Sequence, residues 1–196
     1  MATYDPETAL AVVDVQNDFA DPKGSLYVRG GEDVVRAANA EIESAHVARA
    51  LVVYTQDWHP PSTPHFAKDG GVWPVHCVGD TWGAEFHPDL VVVDDAPIVR
   101  KGVGGEDGYS GFTVADPATG DRSQTELAGI LRDHGITRLI IAGLATDYCV
   151  KDTAIDGTTL GFATVVLAGA TRAVDLSPGD GDRALDAMAK AHVMIG

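Results

Sequence analysis

Cysteine is scarce in this 196-residue chain: only Cys77 and Cys149 occur, far apart in sequence. That excludes the disulfide framework of small secreted domains and suits a reducing compartment, so a cytoplasmic location is expected. Basic residues are also few, with 14 Lys and Arg against 29 Asp and Glu and a formal net charge of -15. No face can then neutralise a run of phosphates, which argues against a nucleic-acid partner. No apolar run is long enough to cross a bilayer. Residues 1–10 lack a basic segment followed by an apolar core, so they do not read as a signal peptide. No Gly-x-Gly-x-x-Gly follows the first apolar run, which weakens a nucleotide-binding reading. Internal repeats, low-complexity tracts and linkers are likewise missing. With 45% hydrophobic residues, the expectation is one domain spanning residues 1–196.

What the chain does have is alternation. Short β-branched runs (Ala9 to Val15, Ala50 to Tyr54, Pro97 to Val99, Leu139 to Ala142, Ala163 to Leu167 and a weaker His192 to Ile195) alternate with segments of helical spacing. Helices are expected at about Gly31 to Ala48, Ser123 to His134, Asp147 to Leu160 and Pro178 to Ala191. The pattern predicts an α/β fold with a mostly parallel sheet. In such folds ligands collect beyond the carboxyl ends of the strands. Asp14, Asp57, Lys101 and Thr146 fall there. The proline-rich stretch at about 56–95 breaks the rhythm, and a loop that long is more often functional than idle.

Cys149 lies where the fourth run passes through Gly143-Leu144-Ala145-Thr146-Asp147-Tyr148 into a predicted helix. Backbone amides and the helix dipole there favour a thiolate, and could hold an oxyanion. A buried packing role for the thiol is the competing reading. Asp14 closes the first run and Lys101 follows the third, so a proton acceptor and a cation could join the thiol. Taken singly, Asp14 could cap a turn and Lys101 could be a solvated strand-end lysine. Cys77 reads as a small filler.

Asp57-Trp58-His59 with His65 places a carboxylate and two imidazoles in one short stretch, and His76 lies further along it. Such donors suit zinc, iron or manganese and commonly leave a coordination position open. His46, His87, His134 and His192 stand apart and read as surface or packing residues.

These residues resemble the nicotinamidases (pyrazinamidases) of the isochorismatase-like, or cysteine hydrolase, superfamily. The likeness spans nearly the whole chain. It rests on Val13-Asp14-Val15-Gln16-Asn17-Asp18-Phe19, Gln56-Asp57-Trp58-His59-Pro60 with His65, Trp73-Pro74-Val75-His76-Cys77-Val78, Arg100-Lys101-Gly102, Tyr109-Ser110-Gly111-Phe112 and Gly143 to Val150. The resemblance implies a three-layer α/β/α sandwich with a doubly wound six-stranded sheet and a triad of Asp14, Lys101 and Cys149. It implies a divalent metal, zinc first and iron or manganese next, on Asp57, His59 and His65. His76 matches a histidine that ligates in some members and lies close by in others. By the same likeness the Ala145-Thr146 peptide is cis, the amides of Ala145 and Cys149 form the oxyanion hole, and Phe19, Leu26, Trp73, Tyr109 and Tyr148 line the ring pocket. Two departures stand out: Tyr148 replaces the histidine of some relatives, and the loop from Gly102 to Gly108, with Glu106 and Asp107, is acidic and slightly long.

The implied reaction is hydrolysis of nicotinamide, and of pyrazinamide, to the acid and ammonia through a Cys149 thioester, in NAD recycling. The implied partner is a small molecule, with a homo-oligomer left open. Carbamoyl-cleaving sister amidases keep the triad but usually lack the Asp57, His59 and His65 set. Isochorismate-cleaving members usually lack the cysteine. A non-catalytic metal-binding or nucleotide-binding domain would leave Cys149 and Lys101 idle.

Overall fold

The computed structural model describes residues 2–196. Its central feature is a six-stranded parallel sheet built from β1 (Thr8–Val13), β2 (Leu51–Asp57), β3 (Ile98–Lys101), β6 (Arg138–Leu144), β7 (Ala163–Arg172) and β8 (Met194–Ile195), in the order β3-β2-β1-β6-β7-β8. Between β3 and β6 lies a small antiparallel hairpin, β4 (Thr113–Ala115) with β5 (Arg122–Gln124). The helices are α1 (Asn17–Ala20), α2 (Gly31–Val47), α3 (Leu127–Asp133), α4 (Lys151–Thr159) and α5 (Asp180–Lys190).

Two apolar cores separate the layers. Alternate residues of β1 point to opposite faces: Leu10 and Val12 join one core, Ala9, Ala11 and Val13 the other. Val34, Val35, Ala38, Ile42 and Ala45 of α2 close the first core. Leu127 and Leu131 of α3, Ala154 of α4 and Met188 of α5 close the second. Helices on both faces make a three-layer α/β/α sandwich, the expected fold. No helix among the described residues is long and apolar enough to cross a membrane.

Several expected elements shift. β1 ends at Val13 rather than Val15 because Asp14 turns into the left-handed region (φ 48°), which breaks the extended backbone. β3 runs on to Lys101, whose register partner on β2 is Asp57. The expected helix from Ser123 starts only at Leu127, because Arg122 to Gln124 pair as β5. The helix expected from Asp147 opens as a π-helical turn, Thr146–Val150, and becomes α-helical only at Lys151. β7 extends to Arg172 past a register shift opposite Ile141 and Gly143. β8 shrinks to two residues.

One contact sets the spacing of β1 and β6 at their carboxyl ends. Gly143 has φ 128°, and a Cβ there would stand 2.1 Å from the Val13 carbonyl oxygen. Only glycine lets the strands meet this closely. Gly143→Ala should therefore lose about 3 kcal/mol or more in urea unfolding. Gly129→Ala on α3, where a Cβ meets nothing within 4 Å, should instead change stability by no more than about 1 kcal/mol, in the stabilising direction. Equal stabilities for the two variants would refute this account of the β1–β6 contact.

Candidate active site

The carboxyl ends of β1, β2, β3 and β6 meet at one point, because Val13 sits beside both Thr55 and Gly143 while Asp57 sits beside Lys101. Lys101 is 1% exposed and reaches into this point. Its Nζ is 2.9 Å from Asp14 Oδ2, pairs with Asp57 Oδ1, and lies 3.5 Å from Cys149 Sγ. Carboxylate oxygens of Asp14 and Asp57 and the Cys149 sulfur all fall within 4.8 Å of one another. The three expected triad residues are thus brought together, with Asp57 as a fourth member.

The supports of this cluster were not visible in sequence. Thr55, on β2 beside the end of β1, donates its hydroxyl to Asp14 Oδ1 at 2.6 Å. Gln16 clamps the Asp57 backbone from both sides: its Oε1 accepts from the Asp57 amide at 2.8 Å and its Nε2 donates to the Asp57 carbonyl at 2.7 Å. The only sequence hint was position, Thr55 and Gln16 each lying two residues from a charged candidate.

Electrostatics assign the protons. Burial alone would discharge Lys101, but Asp14 and Asp57 hold its pKa well above the ordinary lysine range. Burial also opposes ionisation of Asp57, yet Lys101 and the neighbouring His59 and His76 overcome it and keep that pKa below the usual carboxylate range. Asp14 goes the other way: desolvation raises its pKa more than Lys101 lowers it. The Cys149 thiol is pushed well up by burial, with Lys101 pulling down and the two carboxylates adding to the rise. The low thiol pKa expected from a helix start is therefore corrected. The thiol is buried beside two carboxylates, with a single ammonium to share among three acidic groups.

Next to Asp57 stand three buried histidines, His59, His65 and His76, whose ring nitrogens also approach within 4.8 Å of one another. Asp57 Oδ2 faces this group, 3.8 Å from His59 Nε2 and 3.9 Å from His76 Nε2. His65 Nδ1 is 2.7 Å from Asp107 Oδ1, and His76 Nδ1 is 2.7 Å from the Pro74 carbonyl. An ionised carboxylate and a carbonyl can only accept, so both Nδ1 atoms carry a proton, and Nε2 is the nitrogen of each neutral ring that offers a lone pair. Burial holds His76 neutral, with its pKa down at about 4. Neither ring nitrogen of the buried His59 has a hydrogen-bond partner. Orphaned buried imidazole nitrogens beside two oriented lone pairs and a carboxylate oxygen fit a divalent metal. Gly102 (φ 80°) keeps the group tight, since a Cβ there would lie 2.7 Å from the His59 ring.

The five expected ring-pocket residues, Phe19, Leu26, Trp73, Tyr109 and Tyr148, line one cleft together with Cys149, His65 and His76. Trp73 and Tyr148 meet edge to face at 4.9 Å, and Trp73 Nε1 donates to the Tyr109 hydroxyl at 3.0 Å. Cys77 lies outside the cleft lining, buried, with its amide donating to Asp18. The cis peptide is Leu144-Ala145, one bond earlier than expected. The Ala145 carbonyl accepts from the amides of Tyr148 and Val150, which commits the Ala145-Thr146 peptide to the first turn of the π-helical segment.

Residues 8–195 match the Isochorismatase domain family. The chain belongs to that family. It is 38% identical to the nicotinamidase of Escherichia coli over 97% of this chain and 94% of that one. Among solved structures, the pyrazinamidase of Pyrococcus horikoshii in complex with zinc is 39% identical, with a TM-score of 0.87 over 97% of this chain and 99% of that one. The L. infantum protein in complex with nicotinate is 34% identical, with a TM-score of 0.89 over 100% and 95% of the two chains. The isochorismatase-like α/β fold is common to both.

The protonation pattern has a direct consequence in solution. In the metal-free protein, alkylation of Cys149 by iodoacetamide should keep accelerating through pH 9 without levelling near neutrality, because a raised pKa leaves the thiol protonated below it. Cys77, whose pKa burial also raises well above the ordinary value, should react only on unfolding. A plateau in the Cys149 rate below pH 7 would show a low-pKa thiol instead.

Proposed function

We propose that the chain is an amidohydrolase that converts nicotinamide to nicotinic acid and ammonia, and also takes pyrazinamide, in the recycling of pyridine nucleotides. One observation carries this reading: a buried lysine joins a carboxylate to a thiol that lines an aromatic cleft, and His65 and His76 of a three-histidine cluster share that lining. The similarity to nicotinamidases over almost the full chain supports it. A sister amidase acting on carbamoyl groups would need the triad but would leave the His59, His65 and His76 cluster without work.

Asp14 takes the Cys149 proton as the sulfur attacks the carboxamide carbon and the C–S bond forms. The raised pKa of Asp14 suits it to hold that proton, while Lys101 stays charged throughout and balances whichever of the two groups is anionic. The oxyanion is held by the amides of Ala145 and Cys149; the Ala145 carbonyl bonds the amides of Tyr148 and Val150 and bypasses that of Cys149 between them. Asp14 then protonates the departing nitrogen, the C–N bond breaks, and ammonia leaves a thioester. A water molecule gives its proton to Asp14, attacks the same carbon and releases the acid as the sulfur recovers its proton.

Asp57, His59, His65 and His76 would hold a divalent metal, for which zinc is the reading best supported by the relatives, and when bound it supplies a Lewis-acid contact for the pyridine nitrogen. Phe19, Leu26, Trp73, Tyr109 and Tyr148 sandwich the flat ring so that its amide points at Cys149. Two free cysteines, both buried, favour a reducing, cytoplasmic setting.

Cys149→Ala should abolish ammonia release from nicotinamide with fold and metal content unchanged; turnover within tenfold of the parent would end the covalent reading. The ring contact has its own test. Benzamide has the amide and nearly the shape but no ring nitrogen, so its kcat/KM on the parent should be lower by roughly a hundredfold, each tenfold being about 1.36 kcal/mol. Chelation, or His59→Ala, should remove most of the advantage of nicotinamide. A parent that handles both amides alike would dismiss the ring-nitrogen contact and leave the triad standing.

A further inference from the structure

The loop between β3 and β4 joins the histidine cluster to the hairpin through a single residue. Asp107 Oδ1 lies 2.7 Å from His65 Nδ1. The Asp107 backbone is pinned at both polar atoms: its amide donates to the Ala115 carbonyl at 2.7 Å, and its carbonyl accepts from the Ala115 amide at 2.6 Å. Ala115 in turn is paired with Arg122 across the hairpin. The same carboxylate oxygen accepts from the Gly108 amide at 2.8 Å, which fixes the side-chain direction. The acidic loop, which stands out in sequence only as a departure, thus carries a residue whose backbone is bridged to the edge of the two-stranded β4–β5 hairpin.

We infer that Asp107 is a positioning residue for the metal group. It engages Nδ1–H of His65 and so leaves Nε2 as the nitrogen for the metal beside His59 and His76, and the β4–β5 hairpin is the strut that holds it there. This rests on the proposed role of His65 as a metal ligand. One rule and two observations carry it. An imidazole nitrogen that donates to a carboxylate makes the opposite nitrogen the lone-pair donor and raises its basicity. His76 gets its orientation from a local carbonyl two residues away, whereas His65 depends on a residue 42 positions distant. And the Asp107 side chain is about half exposed (45%) while His65 is 5% exposed, so the carboxylate spans from solvent to the buried group and can be altered without opening the core.

The test compares parent, Asp107→Ala, Asp107→Asn and His65→Ala as metal-free proteins titrated with Zn²⁺ against a chromophoric chelator. Thermal unfolding in chelator serves as the control for folding. Asp107→Ala should bind zinc 10- to 100-fold more weakly with Tm nearly unchanged, the range seen for such supporting partners. Asp107→Asn, whose amide oxygen still accepts from Nδ1–H, should recover part of that loss. The ¹⁵N spectrum of His65 in the metal-free parent should show the Nδ1–H tautomer, and Asp107→Ala should shift the population toward Nε2–H. Zinc affinity within twofold of the parent in Asp107→Ala, with His65→Ala greatly weakened, would overturn the positioning role and leave the metal reading intact. A parent that binds no zinc, or a His65→Ala variant that binds it normally, would overturn the metal reading and this inference together. If Asp107→Ala does not fold, Asp107→Asn and the tautomer of His65 decide the question in the same way.

Discussion

An ammonium group almost wholly removed from water is the constraint on which the site depends. Isolated, the Lys101 charge would cost several kcal/mol to bury, as would each carboxylate beside it. Together they are tolerable because one nitrogen faces Asp14, Asp57 and the Cys149 sulfur at once. Such an arrangement leaves little freedom to its neighbours. β2 and β3 must pair so that Asp57 and Lys101 are side by side, Asp14 must leave the strand with a left-handed turn to face them, and Thr55 must sit opposite to occupy the second Asp14 oxygen. The strand register, a fold-level property, is therefore also the geometry of the buried cluster of Asp14, Asp57, Lys101 and Cys149.

Asp57 links the two halves of the chemistry. One of its oxygens belongs to Lys101 and the other faces the imidazoles. A change in charge on either side is felt by the same carboxylate, so the Lys101–Cys149 cluster and the three-histidine group are electrostatically coupled without any motion. Gln16 is what prevents Asp57 from choosing between them, because it holds the backbone from both directions. His65 and His76 are each oriented by a group that only accepts hydrogen bonds, so Nδ1 of each ring is engaged and Nε2 is the nitrogen left for another contact. The cluster is in this sense arranged by its surroundings, His65, His76 and Asp57 each being held by a partner outside it.

Much of this was legible from the chain alone, for a physical reason. Strands of a parallel sheet are buried on both faces and read as continuous β-branched runs, so β1, β2, β6 and β7 were visible. Chemistry in such sheets gathers at the strand ends, so Asp14, Lys101 and Cys149 could be singled out. The hairpin was invisible because β4 and β5 are three-residue strands with no buried face and hence no alternation to detect. The π-helical turn around Cys149 has no pattern of its own, and the thiol's raised pKa depends on burial and on carboxylates contributed by two other strands. Thr55, Gln16 and Asp107 act through cross-strand or cross-loop contacts, and no local spacing encodes those.

The two halves of the site are anchored very differently. Asp14, Asp57, Lys101 and Cys149 sit at or just beyond the carboxyl ends of four strands of one parallel sheet, β1, β2, β3 and β6, while Leu26, Trp73 and Tyr109 hang on loops. Hydrogen bonds of a central sheet open only with the entire domain, whereas loops open alone at much lower free energy. Warming short of the melting transition therefore loosens the walls of the aromatic cleft before it disturbs the buried cluster around Cys149. Over that interval the protein keeps an intact thiol, carboxylate and lysine under a softened roof. Selectivity among amides then fades while bond cleavage persists, a graded loss of discrimination ahead of the abrupt loss of activity.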